Sequence, residues 1–430
     1  MNPDPGTVSA VEASIVDKSF ALGSRLGKNA LWLLLGRVAN HLIFIAISIL
    51  IARSLGDAVL GQYALVTSVL FLFNGISTLG TDTLLVREIA AKQNFSIFLP
   101  ALTIQIGISL LIFALVLILG PLFETQSADG ILALQIYTLS LLPLAFFTVF
   151  GAALRGKEEM GAYSLIATLN ALLQLIAVAF LVPRDMGIVR LVTVLFGMNL
   201  LSAIIACAVA LSKLPQLRTF WLGKKDSIGA VLRAGAAIAL FGILATAYQR
   251  TSLYFVGGMQ GAATTGWFAA AARVVEAPKF LHVAVLSTLL PSMSFTFSTP
   301  RKNNKTMKTY TMSLIGLIIF SAASSVLISV FTEPLMRILF GEQFNQGIPP
   351  LRILAWTLVP FAISQFFAVR LLAKKREKQV ILALAIGIAA LSLLCSLSIP
   401  VFGIVGAAWS VLMAEILLAI LLIGFSYLSK

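Results

Sequence analysis

Charge is scarce in this sequence. Asp, Glu, Lys and Arg make up 11% of the 430 residues against 59% hydrophobic residues, and the mean hydropathy is +0.99. That balance excludes a water-soluble fold. Cysteine is nearly missing too, since Cys207 and Cys395 each sit inside an apolar run, and neither a disulfide framework nor a metal site is indicated. No GxxxxGK[ST] phosphate loop occurs, so nothing in the sequence points to an ATP motor, and no cofactor is expected. The N-terminus carries Asp4, Glu12 and Asp17 where a signal peptide would have a basic patch and a short apolar core, so the first span is expected to stay in the mature protein.

What is present in abundance is the long uncharged run. Ser96 to Phe123 and Val380 to Ala414 contain no charged side chain at all, and stretches of this length read as membrane spans. Twelve spans are expected, at about 30–51, 60–79, 98–119, 131–154, 161–182, 191–211, 230–256, 262–290, 310–331, 348–373, 379–399 and 404–428, each near the ~20 residues that cross ~30 Å of hydrocarbon. The fold class is therefore an all-α polytopic membrane protein.

The net charge of +14 gains meaning from where the bases fall. With both termini on one side, 22 of the 31 Lys and Arg residues lie on that side, spread over seven segments from Lys18, Arg25 and Lys28 to Lys430. The opposite side receives Arg53, Arg184, Arg190, Arg337 and Arg352. This bias follows the positive-inside rule and puts both termini in the cytoplasm of a multi-pass inner-membrane protein. Basic charge divided among short loops also excludes a nucleic-acid partner, which needs it gathered on one face.

The chain repeats itself. Thr83-Leu84-Leu85 returns as Thr288-Leu289-Leu290, and Gly56-x4-Gly61-x-Tyr63 as Gly261-x4-Gly266-x-Phe268, both at an offset of 205. Pro143 and Lys157 match Pro360 and Lys374, and Leu211-Ser212-Lys213 matches Leu428-Ser429-Lys430, all at 217, while Gly187-Ile188-Val189 returns as Gly403-Ile404-Val405 at 216. The expected organisation is a cytoplasmic segment 1–29, a six-helix lobe 30–213, a cytoplasmic linker 214–229 and a second six-helix lobe 230–430. Six spans return the chain to its starting side, so both halves share one topology about an axis along the membrane normal, with the transport path between them.

Ala52-Arg53-Ser54-Leu55-Gly56-x4-Gly61-Gln62-Tyr63, then Leu79-Gly80 and Arg87-Glu88-Ile89-Ala90, resembles the opening of the polysaccharide-biosynthesis (Wzx-type) flippases of the MOP superfamily. The resemblance covers the whole chain in span number and repeat, with the recognisable motif in the first ~90 residues. It implies alternating-access movement of an undecaprenyl-pyrophosphate-linked sugar repeat unit to the outer leaflet, for O-antigen, capsule or exopolysaccharide assembly. The partners implied are that lipid-linked oligosaccharide, membrane lipids, and a polysaccharide polymerase and glycosyltransferases of the same pathway. Lipid II flippases of the superfamily usually carry fourteen spans, and the missing two point away from that branch.

Polar groups at membrane depth tend to face a bundle interior or wet cavity, so they map candidate function. Arg37 lies early in the first span, with Asn40 and His41 one turn on, and Gln249 and Arg250 lie toward the outer end of the seventh. In the eighth, Arg273, Glu276, Lys279 and His282 recur every three residues along one broad helical face, and Pro278 is expected to bend that helix. Arg presents a planar fork matched to phosphate oxygens and keeps its charge in a poor solvent. Arg37, Arg53, Arg250, Arg273 and Lys279 belong to the spans that line the central cavity in MOP carriers, which makes them a candidate pyrophosphate site.

Blander roles stand beside these. Arg53, at a span end, serves equally as a headgroup anchor; Glu276 serves as an intrahelical bridge to Arg273 and Lys279 or as a coupling acid; His41 serves as an interhelical hydrogen bonder. Glu415 has no basic neighbour in its own helix and is either a proton-exchanging group or a neutral acid holding a neighbouring helix. A MATE-type drug/cation antiporter shares the fold expectation but would want an acidic cavity, whereas four bases stand in the spans here against Glu276 and Glu415. A membrane glycosyltransferase or ligase would need a large soluble loop with a carboxylate cluster, and no external loop exceeds about fifteen residues.

Overall fold

The computed structural model describes residues 5–123, 127–181, 187–219, 227–298 and 304–428. Arg184, Lys224, Lys225, Arg301, Lys302 and Lys430, with linker positions 220–226, lie outside the described residues. Every described element is helical. Among the described residues, seven helices are long and apolar enough to cross a membrane, or nine when each of two bent pairs is taken as one span. Two of the seven, Leu31–Thr78 and Glu377–Leu428, are 48 and 52 residues long, more than double the ~20 that a bilayer needs.

Both of these long stretches fold back on themselves. Phe44 and Phe71 would stand roughly 40 Å apart along an unbroken helix at ~1.5 Å per residue, yet their ring centroids are 6.1 Å apart. The reversal is at Gly56, whose φ of 88° and ψ of −178° are open to glycine and strained for other residues. Ser398 and Ser410 likewise meet, Oγ to Oγ at 2.7 Å, across the turn at Gly403.

Several span expectations need correction at their edges. The first helix begins at Pro5, although its stretch apolar enough to cross a membrane begins at Leu31, near the expected position, and the second continues beyond a break at Leu79–Gly80 to Lys92. The fourth and tenth are interrupted, as Ala128–Thr138 with Leu141–Gly156 and as Ile348–Ala355 with Leu358–Ala373. The expected bend at Pro278 does not break the helix, which runs from Ala262 to Ser298.

The repeat is visible in the backbone. Gly261 adopts φ 92° and ψ 170°, nearly the conformation of Gly56 and 205 positions after it. The interruptions at Leu139–Ser140 and Trp356–Thr357 are 217 apart, and the helices beyond them, Leu141–Gly156 and Leu358–Ala373, match end for end at that offset. Each ends in the same turn, with Glu158 at φ 61° and Lys375 at φ 58°. Glu159 N–H bonds the Leu154 carbonyl and Arg376 N–H bonds the Leu371 carbonyl, again 217 apart.

The halves touch through glycine. A Cβ on Gly61 would stand 1.9 Å from the Ala262 carbonyl oxygen, and one on Gly266 would stand 2.0 Å from that of Asp57. Asp57 and Ala262 are themselves 205 apart, so the contact is reciprocal. Around it, Trp267 Nε1 donates to Asp57 Oδ2 at 2.8 Å and Gln343 Nε2 donates to the Ala52 carbonyl at 2.8 Å, sealing the end of the bundle where Gly56 turns.

Candidate functional site: a charged central cavity

Below that seam lies a cavity of about 730 Å³, walled by helices from both halves. Arg37, Asn40, His41, Gln249, Arg250, Arg273, Glu276, Lys279 and Glu415 all line it. Ten of the helical segments contribute, so side chains more than two hundred residues apart in sequence share one chamber.

The charges cluster on one side of it. Arg273, almost fully buried, bonds Glu276 Oε2 through Nη1 at 2.6 Å, and its guanidinium lies 4.3 Å from the Phe44 ring centroid. Arg250 approaches the other carboxylate oxygen of Glu276 at 3.5 Å and lies 5.4 Å from the Phe71 centroid. Two guanidiniums thus divide a single carboxylate, and each rests on an aromatic face supplied by the other half of the chain. Cation–π contact in a partly desolvated site contributes ~1–2 kcal/mol, which helps hold charge at this depth.

Lys279 stays out of that cluster. Its Nζ faces Glu415 Oε1 at 3.9 Å and lies 4.8 Å from the Phe361 ring centroid. Glu415 therefore has a basic neighbour after all, from another helix, while its second oxygen, Oε2, is buried without a hydrogen-bond partner. The bridging role foreseen for Glu276 divides between Arg273 on its own helix and Arg250 on the preceding one, and excludes Lys279.

Arg37 is exposed to the cavity. Asn40 Nδ2 donates to the Gly36 carbonyl at 2.8 Å, within its own helix. His41 stacks on Phe280 with centroids 5.1 Å apart and planes at 16°, and its Nε2 is buried without a partner.

Two expected site residues stand elsewhere. Arg53 is on the seam, where Nε donates to the Leu339 carbonyl at 2.9 Å and Nη2 to that of Ile338. Those carbonyls end the Thr332–Phe340 helix, whose last turn leaves acceptors free for a cation. His282 is fully buried between helices: Nδ1 meets the Pro278 carbonyl at 2.8 Å, Nε2 meets Ser321 Oγ at 2.6 Å, and Phe320 and Phe361 flank the ring. Neither side chain lines the cavity, because packing against a neighbouring helix satisfies each first.

Sequence reasoning passed over a group of amides in the cavity wall. Gln174 Nε2 donates to Asn170 Oδ1 at 3.2 Å and to Asn199 Oδ1 at 3.0 Å, and Ser202 Oγ donates to Asn170 Oδ1 at 2.5 Å. Asn170, Gln174 and Asn199 line the cavity. The available signal was amides inside apolar runs, with Asn170 and Gln174 one helical turn apart.

The bundle, its repeat and its charged central chamber are those of a multi-pass helical membrane protein of the MOP fold. Solved structures agree over nearly the whole chain. It is similar to an inward-facing multidrug-resistance MATE transporter of the MOP superfamily (TM-score 0.72, 13% identity, 90% of this chain and 94% of that one). The lipid II flippase MurJ in an inward closed conformation gives a TM-score of 0.73 at 16% identity, over 92% and 87% of the two chains. A MOP transporter from Pyrococcus furiosus, described as having a binding pocket of reversed polarity suggestive of a different function, gives 0.69 at 14%, over 94% and 95%. No curated relative matches by sequence. Residues 26–297 match the polysaccharide biosynthesis protein family, and the chain belongs to that family.

Proposed function

We propose that this protein flips an undecaprenyl-pyrophosphate-linked sugar repeat unit from the cytoplasmic to the outer leaflet of the inner membrane, supplying O-antigen, capsule or exopolysaccharide assembly. On this reading the chain crosses the membrane twelve times with both termini cytoplasmic, and lobes 30–213 and 230–430 rock about the linker 214–229 in alternating access. A polymerase and glycosyltransferases act before and after it.

The observation that carries the proposal is the excess of cation in the cavity. Arg250 and Arg273 share Glu276, Lys279 faces Glu415, and Arg37 has no acid beside it among the described residues, which leaves a surplus of positive charge in a partly open chamber. A pyrophosphate brings the anion that such a chamber lacks, and the guanidinium fork binds its oxygens two at a time. The sugar head would travel in the polar chamber while the polyprenyl tail stays in lipid. A MATE-type cation antiporter is the weaker alternative, because an organic cation would meet three arginines and a lysine. The description of reversed pocket polarity in the Pyrococcus furiosus neighbour supports treating the sign of the cavity as a guide to cargo.

Arg273→Ala tests the reading. Export of the lipid-linked glycan should fall to background with the carrier still folded in the membrane, and Arg273→Lys should restore part of it, since ammonium supplies charge without the fork. Normal export by Arg273→Ala at wild-type protein level would move the pyrophosphate site elsewhere.

A further inference from the structure

The amide wall has no part in handling the pyrophosphate, and its hydrogen-bonding arithmetic points to a second kind of ligand. Gln174 uses both amide protons, one on Asn170 and one on Asn199. Asn170 Oδ1 takes Gln174 on one lone pair and the Ser202 hydroxyl on the other. These bonds fix the orientation of all three amides, because turning any one of them would set donor against donor. They also join two helices, Met160–Leu181 and Ile188–Lys213, so the group is held from both sides.

The bonds leave a defined remainder. The NH₂ group of Asn170 and the Oε1 of Gln174 make no hydrogen bond among the described residues and are not sealed from the chamber, and the NH₂ group of Asn199, which gives one proton to the Tyr137 hydroxyl, keeps its second. Two donor groups flank one acceptor on a surface with no charge of its own. A ligand matching that order presents acceptors on either side of a donor at neighbouring positions. Vicinal ring hydroxyls do so, as does a hydroxyl beside an acetamido group. Fixed amides discriminate strongly for such groups, since a ligand lacking them would leave buried donors unpaired.

We infer that Asn170, Gln174 and Asn199 form a subsite for an uncharged pyranose, which holds the first sugar of the cargo while Arg37 and the cations of the second half hold its pyrophosphate. The inference rests on the flippase reading and adds to it the division of labour between amides and cations. The absence of a charged side chain in the subsite assigns it to neutral or N-acetylated sugars rather than to uronic acids.

The test compares two lipids on the purified full-length carrier: undecaprenyl pyrophosphate bare, and the same lipid bearing one N-acetylglucosamine. Wild type should bind the glycosylated lipid about tenfold more tightly, the kind of increment that a few fixed hydrogen bonds supply. Gln174→Met, which keeps the volume, should erase that increment while bare-lipid affinity stays within about twofold. Asn170→Ser provides a second, smaller perturbation should the methionine variant fail to fold, with the same loss expected. An increment that survives both substitutions overturns the inference and makes the amides an interhelical clamp, as does equal loss of affinity for both lipids. Wild type that binds both lipids alike overturns the subsite and leaves the pyrophosphate reading standing, whereas wild type that binds neither lipid removes that reading and the subsite with it.

Discussion

The two halves of the chain have nearly the same backbone and unlike cavity linings. Gly56 and Gly261 turn alike, the fourth and tenth helices break at matching positions, and helices 141–156 and 358–373 end in the same left-handed turn. Yet the first half faces the cavity with Arg37 and the amides Asn170, Gln174 and Asn199, and the second with Arg250, Arg273, Glu276, Lys279 and Glu415. What the repeat preserves is the set of residues that shape the backbone and the seam. What it lets drift is the lining, where an isologous position gives no packing reason to keep a side chain. Function in such a carrier is therefore read from the differences between the halves, and architecture from their agreements.

Agreement is tested most severely at the seam. Gly61→Val and Gly266→Val each drive a side chain into a carbonyl about 2 Å away, and each should destabilise the carrier by ~3 kcal/mol or more, the upper end for overpacking because helix backbones must part. Thermal unfolding in detergent should show the two losses to be similar, and tolerance of one with collapse of the other would break the equivalence.

The difference between the walls is sharpened next. Glu276→Gln leaves Arg250 and Arg273 without their shared carboxylate, and should lower stability by ~2–3 kcal/mol, less than a wholly dry ion pair because the cavity admits water. Asn199→Ala among the amides should lower it by about 1 kcal/mol, as expected for neutral hydrogen bonds. Equal losses in the same unfolding assay would mean that the charged wall is no more strained than the neutral one.

A smaller effect belongs to Lys279 and Glu415. At 3.9 Å, with the lysine partly wetted, a double-mutant cycle of Lys279→Met and Glu415→Gln should return a coupling of ~0.5–1 kcal/mol. A value near zero would make them independent groups on one wall. Smallest of all is Arg53→Ala, which should leave affinity for undecaprenyl pyrophosphate unchanged within about twofold, because Arg53 bonds helix-end carbonyls outside the cavity. A loss of tenfold would return it to the binding site.

Much of the architecture was legible in the sequence because membrane physics constrains it so tightly. Long uncharged runs and repeated glycines each have few alternative explanations, and the matches at 205 and 217 reappear as matched dihedral angles. The cavity cations were legible for the same reason, since charge at depth must find a wet or paired environment. Arg53 and His282 misled because residue type and span position do not say which neighbour a side chain will meet: one found the end of the Thr332–Phe340 helix, the other Ser321. The amides went unnoticed because Asn and Gln are common and uncharged, and only the meeting of two helices turns them into a network. Glu415 looked isolated for a related reason, as its partner lies on a helix more than a hundred residues earlier.

The reciprocal approach of Gly61 and Gly266 has a meaning beyond close packing. In a two-fold symmetric dimer, the only residues that can touch their own copies are those on the axis, and such self-contacts must accommodate one residue type twice over. Gly61 meets the residue 205 positions later that the repeat makes its copy, and the neighbours they crowd, Asp57 and Ala262, are copies of each other as well. The seam thus has the form of an isologous dimer interface folded into one polypeptide, with the axis running between two glycines. A single half expressed alone would carry both surfaces of that interface, and the geometry it offers to a second copy of itself is the one that the whole chain offers between its halves.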